Sequence, residues 1–184
     1  MTDTALTLDA AGWLGGARQV RSANCDDRPD GELPSLIVMH SISLPPGEYG
    51  GREIEDLFTN QLDSAAHPYF KAVAGLRVSA HFLIRRDGQL IQFVSINKRA
   101  WHAGVSCWAG RERCNDYSIG IELEGDDSGP FEDAQYVQLM SLLTLLRRGF
   151  PVEAVIGHCD IAPGRKTDPG PYFEWHKIRA VMPD

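Results

Sequence analysis

The run Leu36-Ile-Val-Met39 places apolar side chains on both sides of an alternating chain. Such a run suits a strand buried on both faces, at the centre of a sheet covered by other layers. It stops at His40, and Leu44-Pro-Pro-Gly-Glu-Tyr-Gly-Gly51 reads as an irregular loop, because prolines withhold ladder donors and glycines loosen the backbone. Residues 20–34 are polar and rich in turn formers, hence a long loop. Ile54, Leu57, Phe58 and Leu62 recur at helical spacing and predict a helix over 53–62. Residues 79–86 and 89–95 are two strand-like runs joined at Asp87-Gly88, a strong hairpin signal. Residues 117–124 alternate, with Ile119, Ile121 and Leu123 on one face and Gly120, Glu122 and Glu124 on the other.

The longest helix is expected over 132–148, with Tyr136, Leu139, Met140, Leu143 and Leu146 sharing a face. Glu132 and Asp133 suit its positive end and Arg147 and Arg148 its negative end, before Gly149 stops it. Residues 152–157 read as a further strand and 173–182 as a closing helix with Trp175, Ile178 and Met182 inward. Interleaved strands and helices with one antiparallel hairpin predict an α/β (α+β) fold, a mixed central β-sheet flanked by helices.

The chain has 184 residues, with 18 Lys+Arg against 25 Asp+Glu, a net charge of −7. At roughly 150 residues per domain this predicts one domain over 1–184, its core about 12–182. An apolar fraction of 43% and a charged fraction of 23% are ordinary globular values and exclude a disordered or fibrous chain. Net acidity argues against nucleic acid or an anionic membrane as partner. No basic-then-apolar leader opens the sequence, and no apolar run reaches the length of a membrane span. Cys25, Cys107, Cys114 and Cys159 lack CxxC spacing and read as reduced thiols, a Cys107–Cys114 bridge being conceivable. The expected location is the cytoplasm and the expected state a monomer.

Two of the six histidines, His40 and His158, stand where an apolar run meets a loop rich in Gly and Pro, the place where sheet proteins present functional groups. Two histidines and one carboxylate meet the ligand count of a catalytic zinc site. Spacing leaves Asp160 and Asp168 as rivals for the third place, and Lys166 shares the side of Asp168 in an extended segment. Glu122 sits in a strand among Ile119, Ile121 and Leu123, a setting that would desolvate it and suit a general base. A solvated face shared with Glu124 is the alternative. Trp101-His102-Ala-Gly104 could line a sugar pocket or hold a buried histidine satisfied by backbone. His81 reads as structural, His67 and His176 as surface residues.

Five stretches carry a resemblance: 36–51, Val78-Ser-Ala-His-Phe-Leu-Ile-Arg-Arg-Asp-Gly88, Arg99-Ala-Trp-His-Ala-Gly104, Cys114-Asn-Asp-Tyr-Ser-Ile-Gly-Ile-Glu-Leu-Glu-Gly125 and 157–171. In order, they resemble the zinc-dependent N-acetylmuramoyl-L-alanine amidases, within them the cytoplasmic type specific for 1,6-anhydro-muropeptides. The resemblance spans about residues 12–180. It implies one zinc per chain on His40, His158 and Asp168, a catalytic acid at Glu122 and a catalytic lysine at Lys166. It also implies a small soluble anhydro-muropeptide as substrate, cut between the lactyl group and L-Ala during peptidoglycan recycling. Ser41 stands where the family commonly has Asn, next to the metal, and is a candidate substrate contact. Trp101 offers a flat face to a compact sugar, and Arg77 and Arg113 offer guanidinium groups to peptide carboxylates. Two other readings are a muropeptide-binding module without catalysis and an amidase acting on intact peptidoglycan.

Overall fold

The structure is a computed structural model that describes residues 6–183. The main sheet runs in the order Ala154–Gly157, Leu36–Ile42, Ser118–Glu124, Phe82–Ile84, Leu90–Gln92, Arg18–Gln19. The first four strands are mutually parallel, Phe82–Ile84 and Leu90–Gln92 form the antiparallel hairpin, and Arg18–Gln19 lies parallel to Leu90–Gln92. The mixed sheet expected from the interleaved pattern is therefore present. Both long strands are interior, and the two edges are only four and two residues long.

The side-chain period of two divides this sheet into a dry face and a chemical one. Ile37, Met39, Phe82, Ile84, Ile119, Ile121 and Leu123 point to one side and pack with Leu139, Leu142, Leu143 and Leu146 of helix Asp133–Gly149. On that helix Leu142 is buried where Met140 was expected, and Met140 is partly covered. The helix start also closes the sheet. Gln135 accepts the Glu132 amide at 3.0 Å and donates Nε2–H to the carbonyls of Ile84 at 3.0 Å and Glu124 at 3.1 Å. Those carbonyls lie at strand ends, where a buried acceptor without a donor would be costly.

The other face carries two apolar clusters separated by polar residues. Leu36 and Val38 pack with Ala103, Cys114, Tyr117 and Ile161. Leu83 packs with Ile54, Leu57, Phe58 and Phe70 of the segment that follows the 44–51 loop. Between them this face presents His40 from one strand and Gly120 and Glu122 from its parallel neighbour, with Glu122 in register with His40.

Several boundaries differ from the sequence reading. The His40 strand does not stop at His40 but continues through Ile42, because the neighbouring strand supplies partners as far as Glu124. Apolar patterning reports burial, whereas the ladder depends on backbone pairing. The 20–34 loop contains a strand, Cys25–Asp27, paired antiparallel with Lys98–Ala100 and cross-linked by Arg99 to Asp26 at 2.6 and 2.7 Å. Charged pairs hold it, so no periodicity announces it. The first helix is Glu53–Phe58 and ends before Asn60, whose φ of 62° is left-handed. The closing segment is a short helix, Trp175–Ile178, followed by a 3₁₀ turn, with Ile178 fully buried and Trp175 and Met182 partly so. The hairpin turns at Gly88 with φ of 85°. All four cysteines are free.

Candidate metal centre

Helix turn His158–Ile161 begins where strand Ala154–Gly157 ends, so His158 leaves the sheet beside His40 on the adjoining strand. The chain then passes through a turn and returns with Asp168, whose main-chain carbonyl accepts the Cys159 amide at 2.9 Å. Three ligand atoms converge as a result, one each from His40, His158 and Asp168, all within 4.8 Å of one another. Asp168 Oδ2 lies 2.9 Å from His40 Nδ1 and 3.0 Å from His158 Nδ1. Asp160 is outside the cluster; its carboxylate accepts the Gly157 amide at 2.7 Å and so closes the local turn.

The donor set fits a divalent cation, and the far sides of the rings say why. His158 Nε2 lies 3.1 Å from the Ala103 carbonyl, which can only accept, so the ring proton belongs on Nε2 and Nδ1 carries a lone pair. His40 Nε2 lies 2.9 Å from His102 Nδ1, and His102 Nε2 lies 3.1 Å from Ser118 Oγ. With His102 donating to Ser118, His40 donates to His102 and its own Nδ1 is also a lone pair. Two lone pairs and a carboxylate oxygen then face one point, an arrangement that calls for positive charge at its centre. Burial lowers the His40 pKa to about 4, outweighing Asp168, so the ring is neutral near pH 7 and able to ligate. Against burial, hydrogen bonding and positive charge from the two histidines in their proton-bearing forms lower the Asp168 pKa, a role that a bound cation would take over.

Glu122 is the second element. It is 8% exposed, and its Oε2 has no hydrogen-bond partner among the described residues. Burial pushes its pKa well above the ordinary glutamate value, the negative charge of Asp168 adds to this, and Lys166 opposes it. The solvated-face alternative does not hold. Glu124, two residues on, is also buried, but it accepts Arg85 at 2.8 Å and the Gly50 amide at 2.7 Å. Of two carboxylates on one strand face, one is neutralised and the other is left without a partner.

Around these groups lies an open cleft of about 540 Å³. His40, His102, Glu122, His158, Lys166 and Asp168 line its polar part, with Ser41 at the side, and Leu44, Leu57, Phe58, Val73 and Val78 form an apolar wall. Trp101, Arg77 and Arg113 are not among the lining residues. The Trp101 indole donates to Asp26 at 3.1 Å. Arg77 is exposed between Leu76 and Val78, which do line the cleft. Arg113, 70% exposed, pairs with Asp116 at 3.1 Å and lines a neighbouring pocket that shares Arg165 with the cleft. His102 was the residue underread in the sequence. It is held by His40 and Ser118 side chains, not by backbone, and the glycine two residues after Ser118 was the available signal. A Cβ on Gly120 would sit 2.5 Å from the His102 ring. His81 is structural as expected, its Nδ1 accepting the Gly120 amide at 3.0 Å. His176 is exposed, whereas His67 is half-buried and accepts the Tyr69 amide at 3.1 Å.

The sequence profile of the N-acetylmuramoyl-L-alanine amidase family matches residues 30–171, and the chain belongs to that family. The 1,6-anhydro-N-acetylmuramyl-L-alanine amidase AmpD of Citrobacter freundii is 59% identical over 173 residues, covering 93% of this chain and 92% of the relative. A crystal structure of a selenomethionine AmpD derivative superposes with a TM-score of 0.92 at 58% identity, over 95% of this chain and 98% of that one. The amidase AmiD of Escherichia coli, solved with the substrate anhydro-N-acetylmuramic acid-L-Ala-D-gamma-Glu-L-Lys, superposes with a TM-score of 0.60 at 26% identity. It covers 97% of this chain and 66% of that one.

Proposed function

We propose that this protein is a zinc amidase that hydrolyses the bond between the lactyl carbonyl of 1,6-anhydro-N-acetylmuramic acid and the L-Ala nitrogen of the stem peptide. The convergence of His40 Nδ1, His158 Nδ1 and Asp168 Oδ2 beside the unpartnered Glu122 Oε2 carries the reading. The name of the AmpD relative, matched over nearly its whole length, and the substrate solved with AmiD supply the substrate. His40, His158 and Asp168 hold the metal, one zinc per chain. A zinc ion there supplies Lewis acidity, polarising a carbonyl oxygen and lowering the pKa of water from 15.7 to about 7. Glu122, buried and without a partner, takes up the proton of the attacking water at its carboxylate and returns it to the L-Ala nitrogen as the C–N bond breaks. Lys166, an exposed cation in the cleft lining, sets positive charge beside the oxygen that becomes negative. The products are the sugar with a free lactyl carboxylate and the peptide with a free amine.

The apolar wall of Leu44, Leu57 and Val78 gives the anhydro ring a dry surface. Ser41 contacts substrate beside the metal. Arg77 and Arg113 meet the carboxylates of the stem peptide outside the cleft, Arg113 reaching it through the pocket shared at Arg165. The reading carries with it soluble anhydro-muropeptides as substrates, a role in peptidoglycan recycling and the cytoplasm as the place of action. Among the described residues no helix is long and apolar enough to cross a membrane.

The test is mass spectrometry of a purified anhydro-muropeptide after incubation with the protein, together with metal analysis. The expected result is one zinc per chain and cleavage to sugar and peptide, with Asp168→Ala losing both and Asp160→Ala keeping both. Full zinc content in Asp168→Ala, or faster action on intact peptidoglycan than on the anhydro fragment, overturns it.

A further inference from the structure

Both metal-facing imidazoles have their outer nitrogens fixed by the same two residues. His102 Nδ1 meets His40 Nε2 at 2.9 Å, and the Ala103 carbonyl meets His158 Nε2 at 3.1 Å. Consecutive residues thus reach two ligands that come from different elements, His40 from strand Leu36–Ile42 and His158 from the start of helix turn His158–Ile161. The segment has no regular partner of its own at this point, since it follows the strand Lys98–Ala100 and precedes Cys107–Trp108. A side chain replaces the missing ladder. Asn115 Oδ1 accepts the backbone amides of both His102, at 3.2 Å, and Ala103, at 2.8 Å. Two converging N–H donors demand the oxygen of that amide and settle its orientation. Asn115 lies in a 3₁₀ turn, Cys114–Asp116, immediately before the strand that bears Ser118, Gly120 and Glu122.

Three further contacts fit the same purpose. Ser118 Oγ holds the remaining nitrogen of His102, and Gly120 leaves the space its ring occupies. Arg165 Nη2 donates to the Ala103 carbonyl at 2.9 Å and shares it with His158.

We propose that His102–Ala103, anchored by Asn115, is the positioning element that sets the tautomer and ring direction of both histidine ligands at once. This inference rests on the metal reading of the site given above. Asn115 acts through the backbone it holds, its side chain bonding to the His102 and Ala103 amides and not to His40 or His158, and is a positioning residue. Outer-sphere partners of this kind typically change metal affinity about 10- to 100-fold when removed.

The test is zinc affinity by competition with a chromophoric chelator, measured on the wild type, His102→Phe, Asn115→Leu and Asn115→Asp. Denaturant unfolding of each zinc-free protein reports the fold separately. His102→Phe keeps a ring but no nitrogen, Asn115→Leu removes the acceptor, and Asn115→Asp keeps an acceptor oxygen in place. The expected result is a loss of about 10-fold or more in zinc affinity for the first two, with Asn115→Asp within about threefold of wild type or tighter. Should His102→Phe fail to fold, the Leu and Asp pair at 115 carries the comparison alone. A wild type that binds no zinc overturns the metal reading and the inference with it. A wild type that binds zinc, with folded Asn115→Leu binding equally tightly, overturns the inference alone. Equal losses in Asn115→Leu and Asn115→Asp also overturn it, because an acceptor at that position would then not matter.

Discussion

Acidifying the zinc-free protein should unfold it through its buried histidines. His81 shows the physics. Its Nε2 lies 3.0 Å from the Lys98 carbonyl, its Nδ1 accepts the Gly120 amide, and Arg28 Nη2 stands 3.2 Å away. A second proton would have to sit on Nδ1, facing a donor, beside a cation and away from water. Burial first and Arg28 second bring its pKa down to about 3. Burial likewise lowers His40 to about 4 and sets His102 well below the ordinary 6.5. Groups with depressed pKa values contribute stability that is intact above pH 6.5 and is lost as pH falls, since the unfolded chain takes up protons first. One pH unit below 6.5 costs about 1.4 kcal/mol per histidine, so three cost about 4 kcal/mol at about pH 5.5. Glu122 has the opposite sign. Its raised pKa favours the folded state at low pH and loses that advantage as pH rises, so the measurement belongs in the Glu122→Gln background. Asp168 does not intrude, since its depressed pKa matters only below the ordinary 3.8. The assay is urea unfolding followed by tryptophan fluorescence in chelator at about pH 7.5 and 5.5. With a slope of about 2 kcal/mol per M, the midpoint should fall by about 2 M. His81→Gln, which retains a donor and an acceptor, should remove about a third of the fall. Stability constant within about 1 kcal/mol across that interval would refute the reasoning.

Glu122→Gln should keep zinc while turnover on an anhydro-muropeptide drops about 100-fold or more, and near wild-type turnover would return Glu122 to a structural role. Gly120→Ala would place a methyl group 2.5 Å from the His102 ring, so it should displace that ring and weaken zinc binding, measured by chelator competition. Leu143→Ala, on the opposite face of the sheet, should cost about 3 kcal/mol in urea unfolding and leave zinc content unchanged.

What the sequence made legible followed burial. Ile119, Ile121 and Leu123 marked one face of a strand and thereby placed Glu122 on the other, which the register with His40 then turned into a shared site. The periodic face of residues 133–149 was legible for the same reason, except that Met140 and Leu142 exchanged places at its margin. Polar contacts between distant segments left no such trace. Asp26 and Arg99 make a strand of a stretch read as loop, and Asn115 holds residues 102 and 103 by its side chain. Nothing periodic distinguishes those residues from solvent-facing ones. Trp101 illustrates the converse: an aromatic beside a histidine suggested a sugar platform, yet it does not line the cleft and its indole N–H goes to Asp26. Spacing alone left Asp160 and Asp168 open, and only the resemblance favoured Asp168. The backbone supplies the physical reason, because a turn closing on itself keeps Asp160 out of reach of the histidines.

The shortness of the sheet's margins bears on how the protein behaves in concentrated solution. An outer strand with free amides and carbonyls is a template on which a second molecule can add its own strand, and long flat margins invite fibrils. Here the outermost segments, Ala154–Gly157 and Arg18–Gln19, offer too few consecutive groups for such growth, and Arg18 is tied across to Glu55. The long ladders are enclosed by neighbours on both sides. Crowding therefore meets a main sheet whose backbone has little left to trade, and light scattering of concentrated samples should show no progressive increase in particle size.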